Sequence, residues 1–227
     1  LFAKSLGIGF DYRPLTKQIK SFSSYRLLPF RFIPGWLKKK LVKKGCRYYE
    51  SKCGESPFAA SLLGLKGKKF GSFVAKGSAY YRIKHRLRMV YLYLAAEINN
   101  LLVVGCANRT EYLIGFFVKF GCDHAADIMP LLNLYKSQVV MLAEYLKIPK
   151  TIVTKAFSPD VLPGIEDEEA LGIPYRKLDL VLLGLEKDYP ISKIMAEVEV
   201  SEEEIKKIKR LLEMSRHLRE IYKPENL

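Results

Sequence analysis

Apolar residues recur at helical spacing along much of the chain. The clearest stripe covers residues 82–99, where Ile83, Leu87 and Leu94 share one face and basic residues crowd the first half. The same spacing predicts further helices at 110–120, 134–146, 177–185, 191–198 and 201–222, and residues 3–6 resemble a helix end. The last long helix opens with Ser201 and carries Glu204 three residues later, which is the pattern of a capping box.

Two short strands are expected between these helices. Residues 101–104, Leu-Leu-Val-Val, form an apolar run that ends at Gly105, and a second strand is expected near residues 10–12. Strands separated by helices predict an α/β fold, a Rossmann-like doubly wound parallel sheet with helices on both faces and a helical C-terminal extension. Ligands bind where strands of such sheets turn into helices, which makes Glu111 a candidate site residue.

Residues 22–80 break this regular pattern. They contain the dipeptide Pro34-Gly35, the run of three lysines at 38–40 and several further glycines, with basic residues throughout. We interpret the segment as a basic insertion or lid. A nucleic-acid-binding arm is a weaker alternative, because aromatic residues that could stack on bases are interleaved with the basic ones.

Composition describes an ordinary globular protein with a basic surface. The 227 residues suffice for one sizeable core, and we expect a single domain over 1–227. Lys and Arg number 38 against 24 Asp and Glu, which gives a net charge of +14. Such a charge favours polyanionic partners, and it does not by itself separate ATP, a dinucleotide and nucleic acid.

Cysteine spacing and hydropathy exclude several classes. Cys46, Cys53, Cys106 and Cys122 form no Cys-x-x-Cys pair and have no matching histidine spacing, so neither a zinc site nor a disulfide framework is predicted. We expect reduced thiols in a cytoplasmic protein. The sequence contains no uninterrupted apolar stretch of membrane-spanning length and does not open like a secretion signal, so we expect no membrane association.

A series of short motifs occupies about half of the chain. In order they are Lys-His-Arg-Leu-Arg-Met at 84–89, Gly-Cys-Ala-Asn-Arg-Thr-Glu at 105–111, Lys-Phe-Gly at 119–121, Asp-Ile-Met-Pro at 127–130, Leu-Tyr-Lys-Ser-Gln-Val at 134–139 and Lys-Ala-Phe-Ser-Pro-Asp at 155–160. Asp-Glu at 167–168 and Gly-Ile-Pro-Tyr at 172–175 follow. This order and spacing resemble the NAD synthetase family.

The resemblance implies an amide-forming ligase. Its members use ATP to adenylate nicotinate adenine dinucleotide (deamido-NAD), and ammonia then attacks the acyl-adenylate to give NAD, AMP and pyrophosphate. It also implies Mg²⁺, a cytoplasmic location and a homodimer, and it makes nucleic acid an improbable partner.

The resemblance further implies a metal and ATP site. Glu111 would be the Mg²⁺ ligand, since Mg²⁺ prefers carboxylate oxygens. The alternative is that Glu111 has no metal-binding role and is an acid at a helix start that complements the helix dipole. Lys136 would contact ATP phosphates as a compact charge, and Ser158 would contact ATP through its hydroxyl.

Four residues are implied for the dinucleotide. Arg86 would grip the substrate with its planar guanidinium, and Lys119, Asp127 and His217 would complete the contacts. Gly115 lies between Glu111 and Lys119, and we expect its missing side chain to let a ligand approach the helix.

The chain also departs from the family pattern. A Ser-Gly-Gly-x-Asp-Ser phosphate loop is missing from residues 1–227, and we expect it just before Leu1, so that these residues alone would be impaired in adenylation. Cys106 stands where the family usually has Thr, Cys122 is a one-residue insertion, His85 replaces Ala, and Leu218 replaces the Lys that follows His217.

Two other functions stay open at this point. One is another ATP pyrophosphatase of related fold, either tRNA-modifying or nucleotide-amidating. The other is a degenerate, non-catalytic protein that binds nucleotides or nucleic acid through its basic surface.

Overall fold

The structure is a computed structural model that describes residues 2–22, 33–63, 70–157 and 164–221. These residues form thirteen helices. They are α1 (Phe2–Ser5), α2 (Thr16–Ser21), α3 (Gly35–Cys53), α4 (Pro57–Leu63), α5 (Gly71–Asn99), α6 (Arg109–Ile114), α7 (Lys136–Tyr145), α8 (Lys150–Val153), α9 (Asp167–Leu171), α10 (Tyr175–Glu186), α11 (Ile191–Val198), α12 (Glu202–Met214) and α13 (Arg216–Arg219).

The main core lies around α10. Leu178, Val181 and Leu182 are almost fully buried and pack with apolar residues of α6, α11 and α12. A side chain at Gly184 would approach Ile194 to 2.8 Å, so glycine allows α10 and α11 to pack closely there. Burial of these apolar side chains is the main stabilising contribution to the C-terminal half.

Most predicted helices are confirmed, with changed ends. Helix α11 occupies 191–198 as predicted, and α12 begins with the predicted capping box, in which the Glu204 N–H donates to the Ser201 hydroxyl at 3.2 Å. The helix predicted at 110–120 ends before Gly115, whose φ of 72° is left-handed. The single helix predicted at 201–222 is interrupted at Ser215.

The predicted sheet is not seen in the described residues. Residues 10–12 have no strand pairing there, and residues 101–104 contribute one isolated parallel bridge, between Val104 and Ile128. The side chains of Leu101, Leu102 and Val104 are exposed. Residues 101–104 therefore have the apolar composition of a buried strand, but within the described residues they pair on one side only.

The described parts of segment 22–80 are helical. Helices α3 and α4 and the start of α5 bury Tyr49, Ala60 and Val74 in a small second core. Among the described glycines of this segment, Gly35 and Gly71 begin α3 and α5, and Gly45 and Gly77 lie within them. The interpretation of this segment as an insertion or lid stays a prediction.

The four cysteines are free thiols. No helix in the described part of the chain is both long enough and apolar enough to cross a bilayer.

Candidate active site

The start of α6 positions the first predicted site residue. The Asn108 side chain accepts the Glu111 N–H at 3.0 Å, and the Glu111 carboxylate accepts the Asn108 N–H at 3.3 Å. This reciprocal capping box orients the Glu111 side chain and satisfies two donors at the helix start. Its second carboxylate oxygen is left for another partner.

That partner is Lys136, the first residue of α7. Its Nζ lies 3.0 Å from Oε1 of Glu111, and both side chains are largely shielded from solvent. Local signals had placed both residues at helix starts, and the fold brings these two starts together.

A buried polar network holds the two helices in this arrangement. Asp179 accepts the Thr110 hydroxyl at 2.5 Å and the Ser137 N–H at 2.7 Å, while the Thr110 hydroxyl accepts the Lys136 N–H at 2.9 Å. These contacts join α6, α7 and α10. Because each donor and acceptor in the network is paired, it fixes the position of the Lys136 backbone.

Aromatic rings form one wall of the site. The Lys136 Nζ lies 4.3 Å from the ring centroid of Phe157 and 5.3 Å from that of Tyr175. The two rings meet edge to face at 5.7 Å. This wall lowers the local polarity, which strengthens the attraction between the Lys136 ammonium and any anion that reaches it.

Asp167 is a site residue to which the sequence analysis gave no role. Its Oδ2 accepts the Tyr175 hydroxyl at 3.0 Å, whereas its Oδ1 is buried without a hydrogen-bond partner among the described residues. The pKa of Asp167 is raised, mainly by burial and also by the charge of Glu111. The hydrogen bond from Tyr175 and the charge of Lys136 act in the opposite direction. Burial likewise raises the pKa of Tyr175, as does the charge of Asp167. The Asp-Glu dipeptide at 167–168 was the sequence signal that could have identified Asp167 as a site residue.

The donor set suits a hard divalent cation. Glu111 and Asp167 each offer carboxylate oxygens, and burial together with the charge of Glu111 raises the pKa of Asp167. The unpartnered Oδ1 of Asp167 is the kind of buried acceptor that a cation would satisfy. The residues present therefore fit Mg²⁺, which typically takes one or two protein carboxylates.

Three of the predicted substrate residues form a second group. The Lys119 Nζ donates to the backbone carbonyls of His217 and Glu220, each at 2.6 Å. The Arg86 Nε donates to the Lys119 carbonyl at 3.4 Å. The His217 ring nitrogen Nδ1 lies 2.8 Å from the Met214 carbonyl oxygen. The group thus joins α5, the segment after α6 and the end of α13.

Arg86 and Lys119 also border a cavity of about 810 Å³ between α3, α4 and α5 and residues 115–120. Most of its lining is apolar or aromatic, including Phe58, Phe116 and Tyr81. The lining contains four basic residues, Arg82, Lys84, Arg86 and Lys119. Basic groups at a largely apolar cavity of this size suit a ligand with a flat ring and an anionic group. The lining includes Leu218, the residue found in place of a family lysine.

Asp127 does not join either group. The Asp127 carboxylate accepts the Val103 N–H at 2.7 Å and the Tyr93 hydroxyl at 3.2 Å, beside the Val104 to Ile128 bridge. Ser158 lies outside the described residues.

Gly115 is required by packing at the end of α6. A Cβ there would lie 2.4 Å from the Ser215 Cβ, so only glycine lets the C-terminal helices pack this closely, and Gly115 also lines the 810 Å³ cavity. The approach of a ligand to this glycine stays a prediction. The buried Ser215 hydroxyl donates to the Leu113 carbonyl at 2.9 Å. The interruption between α12 and α13 therefore falls where Ser215 packs on the end of α6.

Comparison with known proteins identifies the family of the chain. The profile of the NAD synthase family matches residues 43–222. The NH(3)-dependent NAD(+) synthetase of Thermotoga neapolitana is 38% identical over 216 residues, which are 95% of this chain and 70% of that protein. The enzyme of the same name from Thermotoga maritima is 38% identical over 96% of this chain and 73% of its own length.

Solved structures give the same result. The NMN synthetase of Francisella tularensis has 37% identity and a TM-score of 0.55 over 68% of this chain and 57% of that one. The NH3-dependent NAD synthetase of Campylobacter jejuni, in complex with the nitrate ion, has 25% identity and a TM-score of 0.51 over 66% and 56%. The chain thus spans somewhat more than half the length of these two structures. By sequence and by fold, the chain belongs to the NAD synthase family.

Proposed function

We propose that this protein catalyses ammonia-dependent NAD synthesis. In this reaction the carboxylate of deamido-NAD attacks the α-phosphorus of ATP, pyrophosphate leaves, and ammonia displaces AMP from the acyl-adenylate to form the amide. The observation that carries the proposal is the shielded Lys136 to Glu111 pair beside Asp167, in a chain whose relatives are named NH(3)-dependent NAD(+) synthetases.

Lys136 is the residue that we assign to the phosphates. Its ammonium stands at the start of α7 against the rings of Phe157 and Tyr175, where a developing negative charge on pyrophosphate would be stabilised with little reorganisation. The ion pair with Glu111 keeps this ammonium in place before the nucleotide arrives. Ser158 stays our predicted hydroxyl contact to ATP.

Glu111 and Asp167 are the residues that would hold Mg²⁺. When bound, the ion neutralises charge on the ATP phosphates. The Glu111 cap keeps one carboxylate oxygen directed at its own helix start, and the Tyr175 hydroxyl fixes the Asp167 carboxylate. Both acids are therefore held in place by the protein before any ligand binds.

Arg86 and Lys119 are the residues that we assign to deamido-NAD. Both border the 810 Å³ cavity, whose aromatic lining suits the stacking of a base or a pyridine ring. His217 contributes its backbone carbonyl to Lys119, so its role would be to position that lysine. Asp127 is exposed, and each of its carboxylate oxygens accepts one bond, from Val103 and from Tyr93, so it would still accept a substrate hydroxyl.

The predicted doubly wound sheet belongs to the same proposal. The bridge at Val104, supported by the Gly105 N–H to Ile128 carbonyl bond of 2.8 Å, has parallel geometry. The exposed apolar side chains of Leu101, Leu102 and Val104 suit a strand whose faces are covered by further layers, as in a parallel sheet. Homodimer formation and a cytoplasmic location stay predictions from the family resemblance.

Pyrophosphate exchange tests the adenylation step. The protein is expressed from its natural start codon, and labelled pyrophosphate is added with ATP, Mg²⁺ and deamido-NAD in the absence of ammonium. We expect label to enter ATP only when deamido-NAD is present, and Lys136→Met to abolish the exchange. Exchange that ignores the dinucleotide would instead favour another ATP pyrophosphatase, including a tRNA-modifying one.

A mononucleotide substrate is the second candidate. The structural relative from Francisella tularensis is named an NMN synthetase, and it is 37% identical over 68% of this chain, against 38% over 95% for the enzyme of Thermotoga neapolitana. The same exchange run with nicotinate mononucleotide separates the two. Label incorporation with the mononucleotide and none with deamido-NAD would replace the proposed substrate, whereas no incorporation with either would favour a non-catalytic binder.

A further inference from the structure

Three side chains with metal-binding atoms meet away from the Lys136 to Glu111 pair. The Nδ1 of His85 lies 2.5 Å from Oδ2 of Asp123 and 3.5 Å from the Sγ of Cys122. The Cys122 Sγ lies 3.5 Å from Oδ1 of Asp123, and the three ligand atoms are all within 4.8 Å of one another. Sequence spacing gave no sign of this group, because His85 is 37 residues from Cys122.

The backbone holds these residues together. His85 is buried in α5, and its carbonyl accepts the Cys122 N–H at 3.1 Å. Gly121 makes this approach possible, since a Cβ there would lie 2.9 Å from the His85 Cβ. The Tyr81 ring packs edge to face on the imidazole at 4.8 Å, which fixes the ring orientation. His85 is thus held by α5, and Cys122 and Asp123 by a turn whose backbone is hydrogen-bonded to α5.

We propose that His85, Cys122 and Asp123 bind a thiophilic divalent cation, Zn²⁺ by preference. Nitrogen, sulfur and oxygen ligands of tetrahedral zinc lie about 3.3–3.8 Å from one another, given bond lengths of about 2.0–2.3 Å. The two separations to sulfur already have this length. The His85 Nδ1 and the Asp123 Oδ2 are at hydrogen-bonding distance in this structure. A bound metal would replace the proton between them, and the two atoms would move apart by roughly 1 Å.

Charge favours the same assignment. Thiolate and carboxylate together neutralise a divalent ion, and neutral imidazole completes the set. The Cys122 thiol gives up its proton to solvent when the metal binds. A thiolate and an imidazole are poor ligands for Mg²⁺, so the two metal sites would not compete.

The site leaves room for a fourth ligand. The Asp123 side chain is 35% exposed, and the open position would take water. Bound metal would join α5 to the segment after α6, and these two elements carry Arg86 and Lys119. The expected effect is a more rigid wall of the 810 Å³ cavity and a higher melting temperature.

Cobalt absorption tests this proposal without reference to turnover. The purified protein is stripped with chelator and titrated with Co²⁺, whose thiolate complexes show a charge-transfer band, and Zn²⁺ is then added in competition. We expect one equivalent of Co²⁺ to develop the band and Zn²⁺ to remove it, while excess Mg²⁺ leaves it unchanged. Zn²⁺ should also raise the melting temperature.

Matched variants assign the ligands. Cys122→Ser should abolish the band and weaken Zn²⁺ binding by at least about 10-fold, and Asp123→Asn, at a partly exposed position, should weaken it without loss of fold. Cys46→Ser removes another partly buried thiol, on α3, and should leave the cobalt band and the Zn²⁺ affinity unchanged. Absence of the band in the unmodified protein, or its survival in Cys122→Ser, would overturn the proposal.

Discussion

Lys136 and Glu111 form an ion pair between the first turns of α7 and α6, with Nζ 3.0 Å from Oε1. The exposed fractions of the two side chains are only 14% and 18%, so neither charge is well solvated and each depends on the other. An arriving phosphate would attract the ammonium, and an arriving cation would attract the carboxylate. The pair therefore holds in place two groups that nucleotide and metal would use separately.

A double-mutant cycle at this pair should show strong coupling. With Glu111→Gln and Lys136→Met, alone and combined, we expect a coupling energy in unfolding of about 0.5–3 kcal/mol, because the pair is shielded from water. Urea denaturation measures it. We further expect Lys136→Met to lower turnover by about 10²–10³-fold, since a charge at the reacting phosphates is lost.

The control cycle uses Glu202 and Lys206. They form an ion pair at 2.8 Å on the open surface of α12, where solvent screens both charges. Glu202→Gln and Lys206→Met should show weaker coupling and leave turnover unchanged. Equal coupling in the two cycles would mean that shielding does not strengthen the Lys136 to Glu111 pair.

Gly115→Ala should be strongly destabilising. A Cβ at this left-handed residue costs about 1–2 kcal/mol, and its 2.4 Å approach to the Ser215 Cβ adds about 1–3 kcal/mol from overpacking. Gly172→Ala is the matched control, with φ of 74° and no atom within 4 Å of the added Cβ. Chemical denaturation of both variants gives the difference, and similar losses would refute the packing role of Gly115.

Lys119→Met should loosen the end of the chain. The lysine donates to the carbonyls of His217 and Glu220, so its loss should speed hydrogen exchange at residues 216–221 and raise the KM for deamido-NAD by about 10-fold. Lys177→Met serves as control, since Lys177 donates to the Glu199 carbonyl at 2.8 Å outside the cavity. If Lys119→Met changed exchange but not the KM, Lys119 would be a structural residue only.

Asp167→Asn should stabilise the fold at neutral pH. Burial raises the pKa of Asp167, so the folded state binds its proton more tightly than the unfolded state. Its contribution to stability is therefore greatest below the ordinary value of 3.8 and falls as pH rises through the folded pKa. Removing the charge should raise the melting temperature at pH 7 by roughly 2–4 °C.

The stabilisation by Asp167→Asn should vanish as the pH is lowered, which thermal melts of this variant and the unmodified protein from pH 4 to 7 would show. The same variant should lose activity, because Asn is a poor cation ligand. Destabilisation at pH 7, or full activity, would contradict the role given to Asp167.

Local signals in the sequence predicted helices well. The capping boxes at Ser201 and Asn108 each depend on side chains three residues apart. The sequence therefore shows where α12 begins, and it placed Glu111 correctly at the start of α6. Motif spacing also selected Lys136, which the structure brings to Glu111. These features depend on neighbours within one or two turns.

The features that the sequence did not predict depend on long-range packing. The end of α6 at Gly115 and the interruption at Ser215 come from one contact between residues 100 positions apart, which periodicity does not reveal. Asp167 became a site residue only because Tyr175 and Lys136 pack beside it. Likewise, His85 and Cys122 meet because α5 and the turn at Gly121 come into contact.

The most direct test of the proposed function is product formation. The protein, expressed from its natural start codon, is incubated with deamido-NAD, ATP, Mg²⁺ and ammonium, and NAD and AMP are quantified by chromatography. The proposal predicts equal amounts of NAD and AMP, dependent on ammonium and lowered by about 10²–10³-fold in Lys136→Met. ATP-dependent binding of deamido-NAD without any NAD, or an unchanged rate of NAD formation in Lys136→Met, would contradict it.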